Sequence, residues 1–291
     1  MTPHSSKLSQ APSLPPRAER RFLLRTLFMV FLLLPLAWFQ LALSGCAATG
    51  PGASQAQAEP LTDFDEPETR KRARIRLTLA SNYFEQGQTS VALDEIKQAL
   101  AADPAYAPAY VLRGMVYMRL QNSALAEDSF QRALQINPRD GDALHNYGWF
   151  ACEAGRHAQA IELFDRALAV PVYAGRATSY LTKGICQVRA GQMNEAEASF
   201  AKSYELDAGN PITGYNLASL LYRRGEISRA QFTIRRINNG EFANAETLWL
   251  GILVERRLGN TKVVEQLAQQ LGRRFPQSPQ WTKYQRSVFD E

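Results

Sequence analysis

Two prolines, Pro104 and Pro138, stand 34 residues apart, and the residues around them recur with the same spacing. A fixed period of this length constrains the fold more than composition does. Each period must be one supersecondary unit that buries its apolar face only by stacking on the next copy. Residues 73–106 carry Leu79, Ala80, Tyr83, Gly87, Ala92, Ile96, Ala99 and Pro104; residues 107–140 carry Tyr110, Gly114, Tyr117, Ala126, Phe130, Ala133 and Pro138. Residues 141–174 carry Leu144, Gly148, Ala151, Gly155, Ala160, Phe164 and Ala167, with Pro171 one place early and two extra residues following. Residues 177–210 carry Tyr180, Gly184, Gly191, Ala196, Phe200 and Ser203; residues 211–243 carry Ala218, Leu221, Gly225, Ala230, Ile234 and Ile237. A sixth unit, about 244–277, carries Trp249, Leu250, Gly251, Gly259 and Pro276. The residue types have physical roles. Gly or Ala at the eighth place and Ala at the twentieth let two helices approach closely. A large apolar residue at the twenty-fourth fills the space beside them. Gly at the fifteenth ends the first helix in a left-handed conformation. Proline beyond the second helix stops its continuation.

This pattern resembles the tetratricopeptide repeat, a 34-residue helix–turn–helix unit. The expected fold is all-α: a right-handed superhelix of about six such repeats over 73–291, twelve helices in all. Beyond them, Pro279, Gln280 and Trp281 are expected to start a C-terminal extension that caps the last unit.

The chain before the repeats has a different character. Residues 1–26 are polar and basic, and Leu27–Leu43 is apolar, the layout of a secretory signal. Pro35 and Gln40 weaken a membrane-spanning reading of that run. Leu43-Ser44-Gly45-Cys46 resembles the bacterial lipobox: small residues admit the extended backbone to a peptidase, and the Cys46 thiol takes the lipid. An ordinary signal anchor ending in Ser-Gly-Cys is the alternative. The expectation is a signal peptide over 1–45 and a small-residue, Pro/Gly-rich tether over 46–72. Each buried CH₂ contributes about 0.8 kcal/mol, so several acyl chains on Cys46 would hold the protein on a bilayer. Alanine at position 47, by resemblance to bacterial lipoproteins, implies the outer membrane, with the repeats facing the periplasm.

Composition enters through charge and cysteine. Of 33 basic and 28 acidic residues, Lys7, Arg17, Arg20, Arg21 and Arg25 and one acid, Glu19, precede Cys46. The remainder is 28 against 27, which removes a general basic surface and with it a nucleic-acid partner. Arg223-Arg224, Arg235-Arg236, Arg256-Arg257 and Arg273-Arg274 gather in the last two units, as a solvated face or as one turned to anionic partners. With Cys46 taken by lipid, Cys152 and Cys186 remain, on the first helices of units three and four. Those helices lie side by side in this fold. The two are either a disulfide in an oxidising periplasm or two buried thiols that pack as small hydrophobes. No catalytic motif occurs, and His145 and His157 form no metal-ligand pattern. The chain is expected to be no enzyme, with no metal, no small-molecule substrate and no cofactor beyond the lipid on Cys46.

In such solenoids the first helices line the concave face, through places 2, 5, 6, 9, 12 and 13 of each unit. The partner-binding residues expected there include Leu77 and Phe84 of unit one and Val111, Met115 and Met118 of unit two. Units three and five add His145, Asn146 and Trp149, then Tyr215, Asn216 and Tyr222. Units one and two offer an apolar, methionine-containing groove suited to an amphipathic segment. Asn146 and Asn216 are placed to bond the backbone of an extended peptide.

A lipobox followed by six such repeats resembles the type IV pilus biogenesis/stability lipoproteins, the PilW/PilF-type pilotins. The stretches Asn146–Cys152, Gly214–Ala218, Leu248–Gly251 and Arg273–Pro279 carry the likeness. The resemblance implies binding of the pilus secretin, promotion of its outer-membrane localisation and multimerisation, and support of twitching motility. Two other readings stay open: an envelope lipoprotein scaffolding peptidoglycan hydrolases or proteases, and an outer-membrane protein-assembly lipoprotein.

Overall fold

A computed structural model describes residues 66–289. The signal, Cys46 and most of the tether lie outside the described residues. The described residues form thirteen helices and no strand. In pairs, α1 (Glu68–Glu85) precedes α2 (Thr89–Ala102), α3 (Ala107–Arg119) precedes α4 (Ser123–Ile136), and α5 (Gly141–Glu153) precedes α6 (His157–Leu168). Then α7 (Arg176–Arg189) precedes α8 (Met193–Leu206), α9 (Pro211–Arg223) precedes α10 (Ile227–Asn238), and α11 (Ala245–Arg257) precedes α12 (Thr261–Arg274). The short α13 (Pro279–Gln285) closes the series, so the fold is the all-α tetratricopeptide superhelix.

Each hairpin closes as the residue types require. In unit three, Gly155 takes φ 74°, its N–H donates to the Cys152 carbonyl, and the Arg156 N–H reaches back to Ala151. This is the Schellman arrangement, which needs a left-handed residue after the helix. Unit two has Gln121 in that place, at φ 57°. Inside the units, Phe130, Phe164 and Phe200 are fully buried and lie across Gly114, Gly148 and Gly184. Ala80 with Ile96 and Ala218 with Ile234 fill the same places in units one and five.

Two features depart from the simple period. The first helix starts at Glu68, five residues before the expected repeat boundary at 73. Pro67 leads it in with a preset φ, and its first turns pack down rather than fray. Arg70 pairs with Asp103 and lies 5.1 Å over the Tyr106 ring, and Ala73 is buried with Ala99 and Ala109. The second is the insertion before unit four. It lets Tyr173 fold under the loop, against Gly141 and Gly175, with its hydroxyl 2.9 Å from the Ser179 hydroxyl. At the far end, α13 caps the stack as expected: the Trp281 ring lies over Gly272, and the ring stacks on Tyr284 at 5.6 Å.

First helices of neighbouring units touch (α1 with α3, α3 with α5, α5 with α7, α9 with α11), whereas the second helices make no comparable contact with one another. The first-helix row is therefore the inner, concave side. It positions the candidate site.

Candidate functional site: the concave face

The expected groove residues divide into three groups. Leu77, Phe84, Val111 and Met115 come together with Ser81, Pro108 and Leu112 around a cleft of about 340 Å³ between α1 and α3. Leu77 and Met115 are half-buried; Phe84 and Val111 are buried and present only an edge. Glu85, Asp140 and Asp142 form its lip. Asp140 caps α5, its carboxylate accepting from the Asp142 and Ala143 N–H groups. Burial, with the Asp140 charge beside it, raises the Asp142 carboxyl above its ordinary range. A nearby cation would relieve both effects. The cleft can therefore take apolar side chains beneath a basic one.

The middle of the row differs from expectation. His145 does not project into the groove. Its Nδ1 lies 2.8 Å from the Ser179 hydroxyl of α7, and its ring packs 5.6 Å from Phe164. Burial lowers its pKa to about 4, so the imidazole is neutral at pH 7. Ser179 holds the third place of unit four, which is buried here as Ala109, Ala143 and Thr213 are in units two, three and five, so the ring becomes packing between units. Met118 is likewise half-buried against the core of units two and three, away from the cleft. The Asn146 amide donates to the Asp142 carbonyl and the Asn216 amide to the Ile212 carbonyl, each at 2.8 Å. Each amide thus spends one N–H within its own helix. Trp149 remains half-buried at the surface, under the Arg189 guanidinium at 5.1 Å, and Arg189 pairs with Glu153. Below this stretch, the Cys152 and Cys186 sulfurs are bonded, with Cα atoms 5.9 Å apart. The bond ties α5 to α7 and holds the middle of the concave wall.

The third group lies between α9 and α11. Tyr215 and Tyr222 line a cleft of about 300 Å³ with Ser219, Arg223, Glu246, Trp249, Leu250, Leu253 and Gln280.

Sequence reasoning passed over the lip acids. Asp142 occupies the second place of unit three, a concave place, and a search for apolar and aromatic residues skips it. Among the described residues no cluster of three or more His, Cys, Asp or Glu side chains could hold a metal ion. Nor is any described helix long and apolar enough to cross a membrane. What the arrangement offers is grip: apolar clefts on the concave wall, one rimmed by acids and one by charges of both signs.

Comparison with known proteins agrees with this geometry. Two tetratricopeptide-repeat family models match residues 77–143 and 139–208. The chain is 28% identical over 244 residues to the type IV pilus assembly protein PilF of Pseudomonas aeruginosa, covering 84% of this chain and 93% of that protein. The solved structure of P. aeruginosa PilF superposes with a TM-score of 0.69 at 24% identity, covering 76% of this chain and all of that one. The crystal structure of PilW, a widely conserved type IV pilus biogenesis factor, gives a TM-score of 0.64 at 30% identity, covering 73% and 98% of the two chains.

Proposed function

The chain belongs to the type IV pilus biogenesis family of tetratricopeptide-repeat proteins, and from that premise we propose that it is a pilotin, which holds the pilus secretin and promotes its outer-membrane localisation and multimerisation. The observation that carries the reading is the cleft of units one and two. Its apolar floor includes Met115, a flexible side chain that adapts to different partner surfaces. Its lip of Glu85, Asp140 and Asp142 favours a partner segment whose apolar face ends in lysine or arginine. In this reading lipid on Cys46 anchors the protein to the target membrane and the concave face holds the cargo. Delivery then follows from effective concentration, since tether and groove place secretin and bilayer within one small volume. No bond is made or broken, and the repeats act as a binding module facing the periplasm.

Gene deletion tests this. Secretin should remain monomeric and surface pili should be lost, with rescue by the wild-type gene. Normal secretin multimers in the deletion strain would refute the pilotin role. A Cys46→Ala variant should be produced but leave the outer-membrane fraction; if it stays there, the anchor assignment is wrong.

A further inference from the structure

Charge is spread unevenly along the repeats. Of the 28 basic and 27 acidic residues from Cys46 onward, 12 basic and 7 acidic ones lie in 211–291, which leaves 16 and 20 in 46–210. The near-neutral total therefore hides a basic C-terminal end, made of units five and six and the cap. Its outer side is formed by second helices, and there α10 stands apart from its neighbours. It contains three arginines and no acid, and Phe232, in the middle of the helix, is 72% exposed. Arg229 lies one turn before Phe232, and Arg235 and Arg236 lie one turn after it, on the same helix face.

The arginines are of two kinds. Arg229 pairs with Glu197 and Glu226, and Arg235 with the buried Glu255. Arg236 forms no ion pair among the described residues. The edge where α10 ends adds to it. Arg274, in the last turn of α12, donates to the Ala243 carbonyl at 2.9 Å and so brings the ends of α10 and α12 together. Next to these two residues in sequence stand Phe242, 56% exposed, and Arg273, exposed and likewise without an ion pair among the described residues. Glu241, also exposed, is the opposing charge beside Phe242.

A partner for this face must take projecting rings and positive charge without walls to hold it, because the clefts described above open between first helices, on the other side. An anionic lipid surface needs no walls. Its headgroups take guanidinium groups, and exposed rings enter the boundary between headgroups and acyl chains. The chain before the domain permits the contact: Cys46 lies 20 residues before the first described residue, a reach of up to about 70 Å when extended. We propose that the outer face of units five and six is a second membrane contact, docking on anionic phospholipid headgroups through Arg236 and Arg273, with Phe232 and Phe242 at the lipid boundary. The contact rests on the bilayer location given above and not on the secretin. With an acyl anchor before the first unit and this face at the last two, the solenoid lies along the bilayer and its concave wall turns away from it.

The test is hydroxyl-radical footprinting of the full-length lipoprotein in nanodiscs, read residue by residue by mass spectrometry. The discs are of phosphatidylcholine alone or of phosphatidylcholine and phosphatidylglycerol in equal parts. At low ionic strength Phe232 and Phe242 should be oxidised at least about threefold more slowly on the anionic discs. Met115, on the concave side, should differ by less than about 1.5-fold, and about 0.5 M salt should remove most of the protection. An Arg236→Glu/Arg273→Glu variant should be oxidised alike on both discs. Both arginines are exposed, and an unchanged thermal midpoint checks that the variant is folded. Should it unfold, Phe232→Ser, read at Phe242, serves instead and should lose at least about half of the protection. Equal oxidation on the two discs, protection that survives salt, or full protection in a folded variant would overturn the proposal. So would protection by soluble polyglutamate and not by anionic discs, which would give the face to an acidic protein. Co-elution with neutral discs reads the acyl anchor, and secretin multimers in cells read the pilotin role, so each of the three can fail separately.

Discussion

The Phe200 ring lies across Gly184 so closely that a Cβ added to the glycine would sit 2.5 Å from a ring carbon. Phe200 is fully buried, so the ring has nowhere to retreat. Gly184→Ala should therefore force α7 and α8 apart and destabilise the domain by about 1–3 kcal/mol. Gly148 faces Phe164 with more room, 3.0 Å, and its alanine variant should lose less. Urea unfolding of the two variants checks the ranking, and an equal loss would contradict it.

The Cys152–Cys186 bond closes a loop with a sequence separation of 34. A loop of that size is worth about 4 kcal/mol in the chain-entropy model. Reduction, or Cys152→Ser with Cys186→Ser, should lower stability by an amount of that order while the helices persist. Thiol labelling of the unfolded protein without reductant is the direct check: both cysteines should resist, and full labelling would remove the bond from the account.

Gln121 holds the left-handed place that glycine holds at the end of the first helix in the other five units. A side chain there costs about 1–2 kcal/mol, and glycine's greater freedom when unfolded returns part of that. Gln121→Gly should stabilise the domain by about 0.5–1 kcal/mol, seen as a raised denaturation midpoint at unchanged slope.

His145 makes stability depend on acid. Its folded pKa is lowered to about 4 from 6.5. Between those values the unfolded chain binds a proton that the folded chain refuses. Stability from this residue is complete above pH 6.5, falls as pH drops towards 4, and is fully lost below. The loss totals about 3 kcal/mol. His145→Gln should flatten that part of the profile. An unfolding midpoint with the same dependence between pH 7 and pH 4 in both proteins would show that the imidazole is not responsible.

Much of this molecule could be read from its period. The glycine–phenylalanine pairs, the hairpin ends and the stacking of units follow from small and large residues at fixed places in the repeat. What escaped did so for stated reasons. The start of α1 depends on Arg70 meeting Asp103 and Tyr106, contacts 33 or more residues away in sequence that the repeat does not encode. His145 packs between units because the neighbouring unit sets a serine, Ser179, within reach of its ring nitrogen, a pairing that an average repeat does not specify. Asn146 and Asn216 stand where a side-chain amide can bond a peptide backbone, and each also reaches the carbonyl four residues back in its own helix. The rim charges were legible one at a time. Only the fold gathers Glu85, Asp140 and Asp142 from three units around one apolar cleft.

That cleft gives the sharpest functional test. Met115 is half-buried and lines it, so a charge there opposes an apolar partner without emptying the core. Met115→Glu also adds to the lip acids, which repel it and favour a basic partner, so the sign of the partner's charge can be separated from its apolarity. If burial of apolar side chains dominates, Met115→Glu should reduce secretin multimers severely, while Asp142→Asn reduces them only slightly. If the basic end of the segment dominates, Asp142→Lys should be the more harmful change and Met115→Leu should be silent. Burying one side chain of this size contributes about 1.5–3 kcal/mol, whereas an exposed ion pair contributes about 0.2–1 kcal/mol. The first outcome is therefore expected: at least about tenfold fewer multimers for Met115→Glu, against about twofold for Asp142→Asn. Immunoblots of heat-resistant secretin multimers, with the variant's own level and thermal midpoint measured beside them, decide it. Wild-type multimers in a folded Met115→Glu protein would move the binding surface off this cleft.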